Sequence, residues 1–222
     1  MEAQLQLNGA EELQAASRSR LYALLSRAFR FPQPEQFQKI KAGEFAAAAE
    51  EALKQLPFNS LQPGQLGRGL ASSYEAFQGH YIALFEIGGE HGPPSPLYEG
   101  EYGGGRMKVM EEVLRFYHFF GLHLSDEKRD RPDHLASELE FMHALSFKET
   151  EAVLHGKDRR PYRDAQRDFL RFHLKDFMAA VAEKVSGNRA PFYPDLARLA
   201  ADFCAKDLGH VSSRERGTAW PT

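Results

Sequence analysis

The segment RPDHLASELEFMH, residues 131–143, places acids and histidines on a stretch with helical apolar periodicity. At helical spacing Glu138 lies only about 60° from Leu135, within or beside the apolar face. A buried carboxylate without a partner is costly, so Glu138 is expected to bind a group on a neighbouring element. His134 lies one turn before Glu138. These acids have a structural explanation. Glu138 would form a hydrogen bond to a neighbouring helix, and Asp133 would be a favourable charge at a helix N-terminus. They could also form a binding site.

Glu140 and His143 have the Glu-x-x-His spacing that di-iron helical bundles use. Such a centre needs a second pair of this kind, and the sequence contains none. Glu140 also points about 140° away from Leu135, toward solvent. A di-iron protein is therefore retained only as an alternative.

Gly100 and the run 103–105 precede a helical segment that carries Arg106 and Lys108. Backbone amides at a helix N-terminus can hold an anion. However, no strand pattern precedes the glycines, and the P-loop pattern is not met. A nucleotide-binding protein is the other alternative, and nothing in the sequence identifies an element that would recognise a guanine base.

Nucleophilic chemistry has no support in the sequence. Ser95 and Cys204 lie in no elbow or thiolate motif, and Cys204 is expected to be a small buried hydrophobe. We expect no catalytic residue, no bound metal and no cofactor, so the protein is not expected to be an enzyme.

The stretch PPSPLYEGEYGGGR, residues 93–106, separates two segments with helical patterns. Seven glycines and three prolines lie between Glu86 and Gly105. They exclude a continuous helix, and two tyrosines, Tyr98 and Tyr102, stand among them. We predict a long crossover loop, residues 87–105, that leaves a groove between helices.

Apolar residues recur at three- and four-residue steps along the rest of the chain, and no alternating strand pattern appears. The sequence predicts an all-α single domain, a helical bundle with halves at about 11–86 and 106–208 and a loose tail at 209–222. The predicted helices are 11–29, 35–56, 66–86, 106–120, 132–156, 161–185 and 196–208.

The composition argues against nucleic acid and anionic membranes as partners. The net charge is −3, with 42% hydrophobic and 27% charged residues, so a broad surface for nucleic acid or anionic lipid is not expected. No apolar run approaches the length of a membrane span, and the first residues do not resemble a secretion signal. The cytoplasm is the expected compartment.

Four motifs, in this order, resemble the family of cytoplasmic chaperones for molybdenum redox enzymes, the TorD, DmsD and NarJ group. The resemblance covers about residues 15–208, although Gly100 stands where the family often has Ser, and tyrosines stand where some members have Trp. The motifs are Tyr81-x-x-Leu84-Phe85, the loop PPSPLYEGEY, Pro132-Asp133-His134-Leu135 leading into an acidic–apolar helix, and Phe192-Tyr193-x-x-Leu196-Ala197.

The resemblance implies binding rather than turnover. Such chaperones hold the catalytic subunit of a molybdenum (molybdopterin guanine dinucleotide) oxidoreductase, often through its twin-arginine leader peptide, until the cofactor is inserted. In the family, the pair Asp133 and His134 is associated with peptide binding. The protein is expected to be a monomer or a helix-exchanged dimer.

An arginine pair followed by an apolar segment needs an apolar, aromatic-lined groove with acids near one end. Tyr81, Phe85, Tyr98 and Tyr102 could form the wall, and Asp133 with Glu99 or Glu101 could accept guanidinium groups. The predicted peptide-binding residues are Tyr81, Phe85, Pro94, Ser95, Pro96, Tyr98, Glu99, Tyr102, Asp133, His134 and Glu138.

Overall fold

The computed structural model describes residues 9–56, 58, 61, 63, 66–90, 92–123, 131–188 and 192–213. Within these ranges there is no strand, only isolated bridges, so the all-α prediction is confirmed. A π-helical turn, Ile82–Glu86, continues α4, another, Leu170–Leu174, joins α7 to α8, and a short 3-10 turn covers Glu99–Glu101. The α-helices are α1 Ala10–Ala28, α2 Pro34–Lys41, α3 Glu44–Lys54, α4 Tyr74–Tyr81, α5 Arg106–Phe119, α6 Leu135–Leu154, α7 Arg160–Phe169, α8 Lys175–Ser186 and α9 Tyr193–Ser212.

Two predicted helices were wrong in their extent. The predicted helix 35–56 is two helices, because the chain turns at Gly43, whose φ of 79° is a left-handed conformation that glycine adopts without steric cost. The predicted third helix begins only at Tyr74, where the Ser73 side chain accepts a hydrogen bond from the Ala76 amide. Turns occupy residues 66–69 instead.

The ends of two other helices also differ. α6 begins at Leu135 rather than Pro132, because the His134 ring accepts a hydrogen bond from the Ala136 amide, 3.1 Å away, and caps the helix. α9 reaches Ser212, so the first residues of the predicted loose tail are helical. Residues 214–222 lie outside the described part of the chain. The division into two halves around loop 87–105 stays a prediction.

The main packing contact lies between α1 and α6, which run along each other more extensively than any other pair of described helices. α1 buries Leu21 and Leu25, and α6 buries Leu139 and Met142. A hydroxyl joins the two helices, since Ser26 donates to the carbonyl of Ala136 at 2.8 Å. This pair fixes the position of the N-terminal end of α6, where the acid–histidine segment begins.

Rings from α4 and α9 form a second part of the core. Phe77 stacks on Tyr193 with centroids 5.3 Å apart, and Tyr193 also contacts Tyr81 and Phe85 edge-on. Phe192 has a φ of 87°, unusual for a residue with a Cβ, and its ring is buried against Phe77. The motif Phe192-Tyr193 is therefore part of the core in this structure.

A fully buried arginine joins four helices. Arg18 of α1 pairs with Glu149 of α6 at 2.7 Å and with Asp207 of α9 at 2.5 Å, and it donates to the Gln166 side chain of α7. The Tyr22 hydroxyl donates to Asp207 at 2.6 Å. Since both acids are buried, the guanidinium offsets their desolvation and fixes the relative positions of these helices.

Candidate functional site

The crossover loop, residues 87–105, is attached to the start of α6 by backbone hydrogen bonds. The Glu99 amide donates to the carbonyl of Asp133 at 2.9 Å, and the Leu135 amide donates to the carbonyl of Leu97 at 2.8 Å. Tyr98 and His134 are paired between these bonds, with ring centroids 5.0 Å apart. The structure thus brings together two motifs that are about 35 residues apart in the sequence.

Asp133 is buried and already accepts hydrogen bonds from its own chain. The Arg131 guanidinium donates to both carboxylate oxygens, at 3.0 and 2.6 Å, and the Gly100 amide donates to Oδ2 at 3.0 Å. A Cβ at position 100 would lie 3.0 Å from Asp133 Oδ2 and 2.9 Å from the Arg106 Cα, so this approach needs glycine. The role of Asp133 toward a peptide stays a prediction.

Glu138 is fully buried, as the helical spacing predicted. Among the described residues neither carboxylate oxygen has a partner apart from the nearby carboxyl of Glu99, so the predicted hydrogen bond to a neighbouring helix does not appear. Burial raises the pKa of Glu138 well above its ordinary value, and the nearby carboxylates of Glu99 and Asp133 raise it further. Glu138 is thus a buried acid whose protonated form is favoured by its surroundings, and it does not line a described pocket.

The Glu99 side chain is mostly buried and lies against a histidine of the π-helical turn between α7 and α8. Its Oε2 is 3.0 Å from Nδ1 of His173. Glu99 therefore connects the loop to the π-helical turn before α8, and in this structure it contacts His173 rather than an open groove.

Tyr102, Ser95 and Pro96 hold the loop together. The Tyr102 hydroxyl donates to the carbonyl of Pro96 at 3.0 Å and lies 3.2 Å from the Ser95 hydroxyl, and its ring packs on Phe177. Ser95 is fully buried, whereas Pro94 is exposed. Burial raises the pKa of Tyr102, so its hydroxyl stays protonated. These contacts stabilise the conformation of the loop.

An open pocket of about 790 Å³ lies between the end of α1, helices α2 and α3, and the Tyr98–His134 pair; we call it the groove. Tyr81, Tyr98 and His134 are the predicted residues that line it, although Tyr81 is otherwise buried and donates to the carbonyl of Phe29. Phe85 lines only the neighbouring pocket. The apolar groove residues that the sequence analysis missed are Leu24, Phe31, Ile40, Phe45 and Ala48.

Charged residues of both signs surround the groove. Arginine, lysine and glutamate side chains all line it, and one of them, Arg30, pairs with Glu140 of α6. A smaller pocket of about 390 Å³ shares Tyr98 and Glu86 with the groove, so the two adjoin. The charged residues are Arg27, Arg30, Glu35, Lys39, Glu44 and Glu86 in the groove, and Glu86, Glu101, Arg106, Arg131 and Lys184 in the smaller pocket.

The residues proposed for other chemistry have other partners. His143 Nδ1 lies 2.8 Å from the Ser19 hydroxyl, and Glu140 pairs with Arg30, so neither points at a shared ligand. Within the described ranges, no group of three or more His, Cys, Asp or Glu side chains could hold a metal.

Cys204 is buried, and burial raises its pKa well above the ordinary value. No helix in the described residues is long and apolar enough to cross a membrane.

The protein is all-helical in its described residues. An open groove with aromatic side chains lies beside the N-terminal end of α6, to which the crossover loop is hydrogen-bonded. The chain belongs to the nitrate reductase delta subunit family, whose model matches residues 42–183. This match runs from α3 into the last turn of α8 and includes the Tyr98–His134 pair. The family predicted from the sequence is confirmed.

Two of three named relatives are similar over most of the chain, and the third over about half of it. The chlorate reductase assembly chaperone protein of Ideonella dechloratans is 36% identical over 177 residues, 78% of this chain and 88% of that protein. The perchlorate reductase assembly chaperone protein of Dechloromonas aromatica is 31% identical over 196 residues, 84% and 86%. The selenate reductase assembly chaperone protein of Thauera selenatis is 46% identical over 112 residues, 48% and 58%.

A solved structure has the same fold. It is described as a redox enzyme maturation protein from Archaeoglobus fulgidus and is 20% identical in sequence. The TM-score is 0.50, and the alignment covers 96% of this chain and 100% of that one. At this identity the likeness supports the fold alone.

Proposed function

We propose that this protein is a redox-enzyme maturation chaperone that binds the catalytic subunit of a molybdenum oxidoreductase before cofactor insertion is complete. The observation that carries this proposal is the groove of about 790 Å³, in a chain whose relatives are named as assembly chaperones of reductases. The protein holds its client and does not transform it. The client stays bound in the cytoplasm until it can be assembled or exported.

The groove suits an apolar segment of polypeptide. Phe31 at its edge is 41% exposed and contacts Tyr81 edge-on, with centroids 5.4 Å apart. Covering this ring removes apolar surface from water, worth about 25 cal/mol per Å². Ile40 and Phe45 extend the apolar floor. Aromatic anchors of this kind commonly dominate the energy of polypeptide binding.

The smaller pocket has two acids, Glu86 and Glu101, for the charged end of the same segment, although three cations line it too. In a twin-arginine leader, two guanidinium groups precede the apolar run, and Tyr98 lies at the boundary between the two pockets. An apolar run in the groove would place the arginines near Glu86 and Glu101. The leader is therefore the client segment that we propose for this surface.

Recovery of the protein from its native host tests the proposal. A tagged chain, purified gently and analysed by mass spectrometry, should carry the catalytic subunit of a molybdenum enzyme in near-stoichiometric amount. Deletion of the gene should abolish the activity of that enzyme. If every molybdenum enzyme of the host stays active after the deletion, the proposed function is wrong.

A further inference from the structure

The arginine that precedes the Pro-Asp-His motif occupies a complete guanidinium site within its own chain. Arg131 Nε and Nη2 donate to the two oxygens of Asp133, and Nη1 donates to Glu101 Oε1 at 2.9 Å. Its guanidinium carbon lies 4.5 Å from the centroid of the Tyr98 ring. We call Asp133, Glu101 and Tyr98 the guanidinium box.

The geometry of the box selects a guanidinium rather than an ammonium. A planar group with parallel N–H donors satisfies both oxygens of a carboxylate at once, and its flat face stacks on an aromatic ring. A lysine could make only one of these contacts well. The hydrogen bond from Arg131 also lowers the pKa of Glu101, which keeps that acid ionised.

The acid at the centre of the box is held independently of Arg131. The Gly100 amide donates to Asp133 Oδ2, and the Asp133 carbonyl accepts from the Glu99 amide. Asp133 would therefore keep its position if the Arg131 side chain swung away. A second guanidinium would then find the same acceptors in the same places.

The box is also accessible from the proposed client site. The Arg131 side chain is 27% exposed and lines the smaller pocket, which adjoins the groove at Tyr98 and Glu86. Asp133 is completely buried and lines neither pocket, whereas Arg131, which pairs with it, lines the smaller pocket. Arg131 therefore lies between the smaller pocket and Asp133.

We propose that Arg131 is an internal ligand of the guanidinium box, and that an arginine of the client peptide displaces it on binding. This inference rests on the proposed function. In the free protein Arg131 keeps the buried Asp133 paired, and on binding the client arginine takes over this pairing. The competition weakens binding of any arginine-bearing segment and leaves the binding of a segment without arginine unchanged.

The test compares two labelled peptides by fluorescence anisotropy. One has two adjacent arginines followed by twelve leucine and alanine residues, and the other has glutamines in place of the arginines. Arg131→Gln should bind the arginine peptide about tenfold more tightly than wild type, since one charge-assisted competitor is gone. Its affinity for the glutamine peptide should not change.

Arg115→Gln is the matched control. Arg115 donates to Glu111 Oε1 at 2.5 Å and lines neither the groove nor the smaller pocket. This variant should leave both affinities within about twofold of wild type. An equal gain in both variants, or an equal gain for both peptides, overturns the displacement.

A second variant and a second readout cover the case in which Arg131→Gln unfolds. Arg131→Lys keeps the positive charge but loses the planar guanidinium with its parallel N–H donors. It should still bind the arginine peptide several-fold more tightly than wild type. In wild type, the Nε–H of Arg131 should give a slowly exchanging NMR signal that is lost when the arginine peptide binds. A signal that persists at saturation overturns the inference.

The outcomes separate this inference from the proposed function. If the catalytic subunit co-purifies while Arg131→Gln and wild type bind the arginine peptide equally, the displacement is wrong and the chaperone function stands. Weaker binding by Arg131→Gln would show that Arg131 supports the site, which also overturns displacement. Failure of co-purification refutes the proposed function itself.

Discussion

Tyr98 lies edge-on against His134, with ring centroids 5.0 Å apart, and both residues line the groove. The pair is fixed by backbone hydrogen bonds between the loop and the start of α6, so Tyr98 presents its ring from a rigid support. Tyr102 comes from the same loop but packs inward on Phe177. Two tyrosines that look equivalent in the sequence therefore have different surroundings.

Tyr98→Ala should weaken binding of the catalytic subunit or its leader by roughly tenfold, because it removes an aromatic anchor shared by both pockets. Tyr102→Ala should instead lower the free energy of unfolding by about 2 kcal/mol, since it removes a core contact. Calorimetric titration and urea unfolding measure the two effects. The assignment of Tyr98 fails if its variant binds normally while remaining folded.

Phe31→Ala should also weaken client binding by roughly tenfold, with little change in stability, because this ring is exposed at the edge of the groove. Phe172→Ala is the matched control, since that ring is 64% exposed and lies outside the groove. Titration of both variants with the same client peptide provides the comparison. Equal losses in both would indicate a general apolar effect instead of a groove.

Arg18→Met should lower the free energy of unfolding by about 3–5 kcal/mol, because it leaves the buried carboxylates of Asp207 and Glu149 without their cation. Arg20→Met, on the exposed side of the same helix, should change it by less than about 0.5 kcal/mol. Urea titrations followed by circular dichroism measure both values. An Arg18→Met protein as stable as wild type would contradict the proposed role of the ion cluster.

Glu138→Gln should make stability less dependent on pH. The folded-state pKa of Glu138 is raised above its unfolded value, so its favourable contribution is complete below the unfolded pKa and is lost as pH rises through the folded pKa. The variant should therefore gain stability relative to wild type as pH increases from about 4.5, near the unfolded value.

Unfolding measured at several pH values between 5 and 9 checks the sign of this difference. Glu140→Gln is the control, because that side chain is exposed and paired with Arg30, and its effect should stay below about 1 kcal/mol. A difference between Glu138→Gln and wild type that shrinks with rising pH would show that the acid is ionised in the fold.

The sequence predicted the helices and the burial of Glu138 because both follow from local periodicity. Tyr81 and Phe85 share one helical stripe, and periodicity marks the whole stripe as inward-facing without showing which part another element covers. Phe31 was missed because it lies between α1 and Pro32, where no period exists. The only available signal was an aromatic residue beside two prolines, Pro32 and Pro34.

The ion cluster and the guanidinium box were also missed, for a different reason. Arg18 reads as an ordinary helix residue, since its partners lie 131 and 189 positions away and only packing brings them together. Arg131 ends a charged run that is typical of a solvated connector. Pairing across such distances depends on tertiary structure, which one sequence without its fold does not reveal.

The link from Arg18 to Asp207 has a consequence for synthesis. The ribosome makes the guanidinium early, but the carboxylate that it needs appears 189 residues later. Until then the cation has only Glu149 and Gln166 as partners and lacks its second carboxylate, so the packing around the first helix is incomplete. Folding is therefore completed only after α9 has been translated, and a nascent chain that stalls before α9 should remain a substrate for proteases.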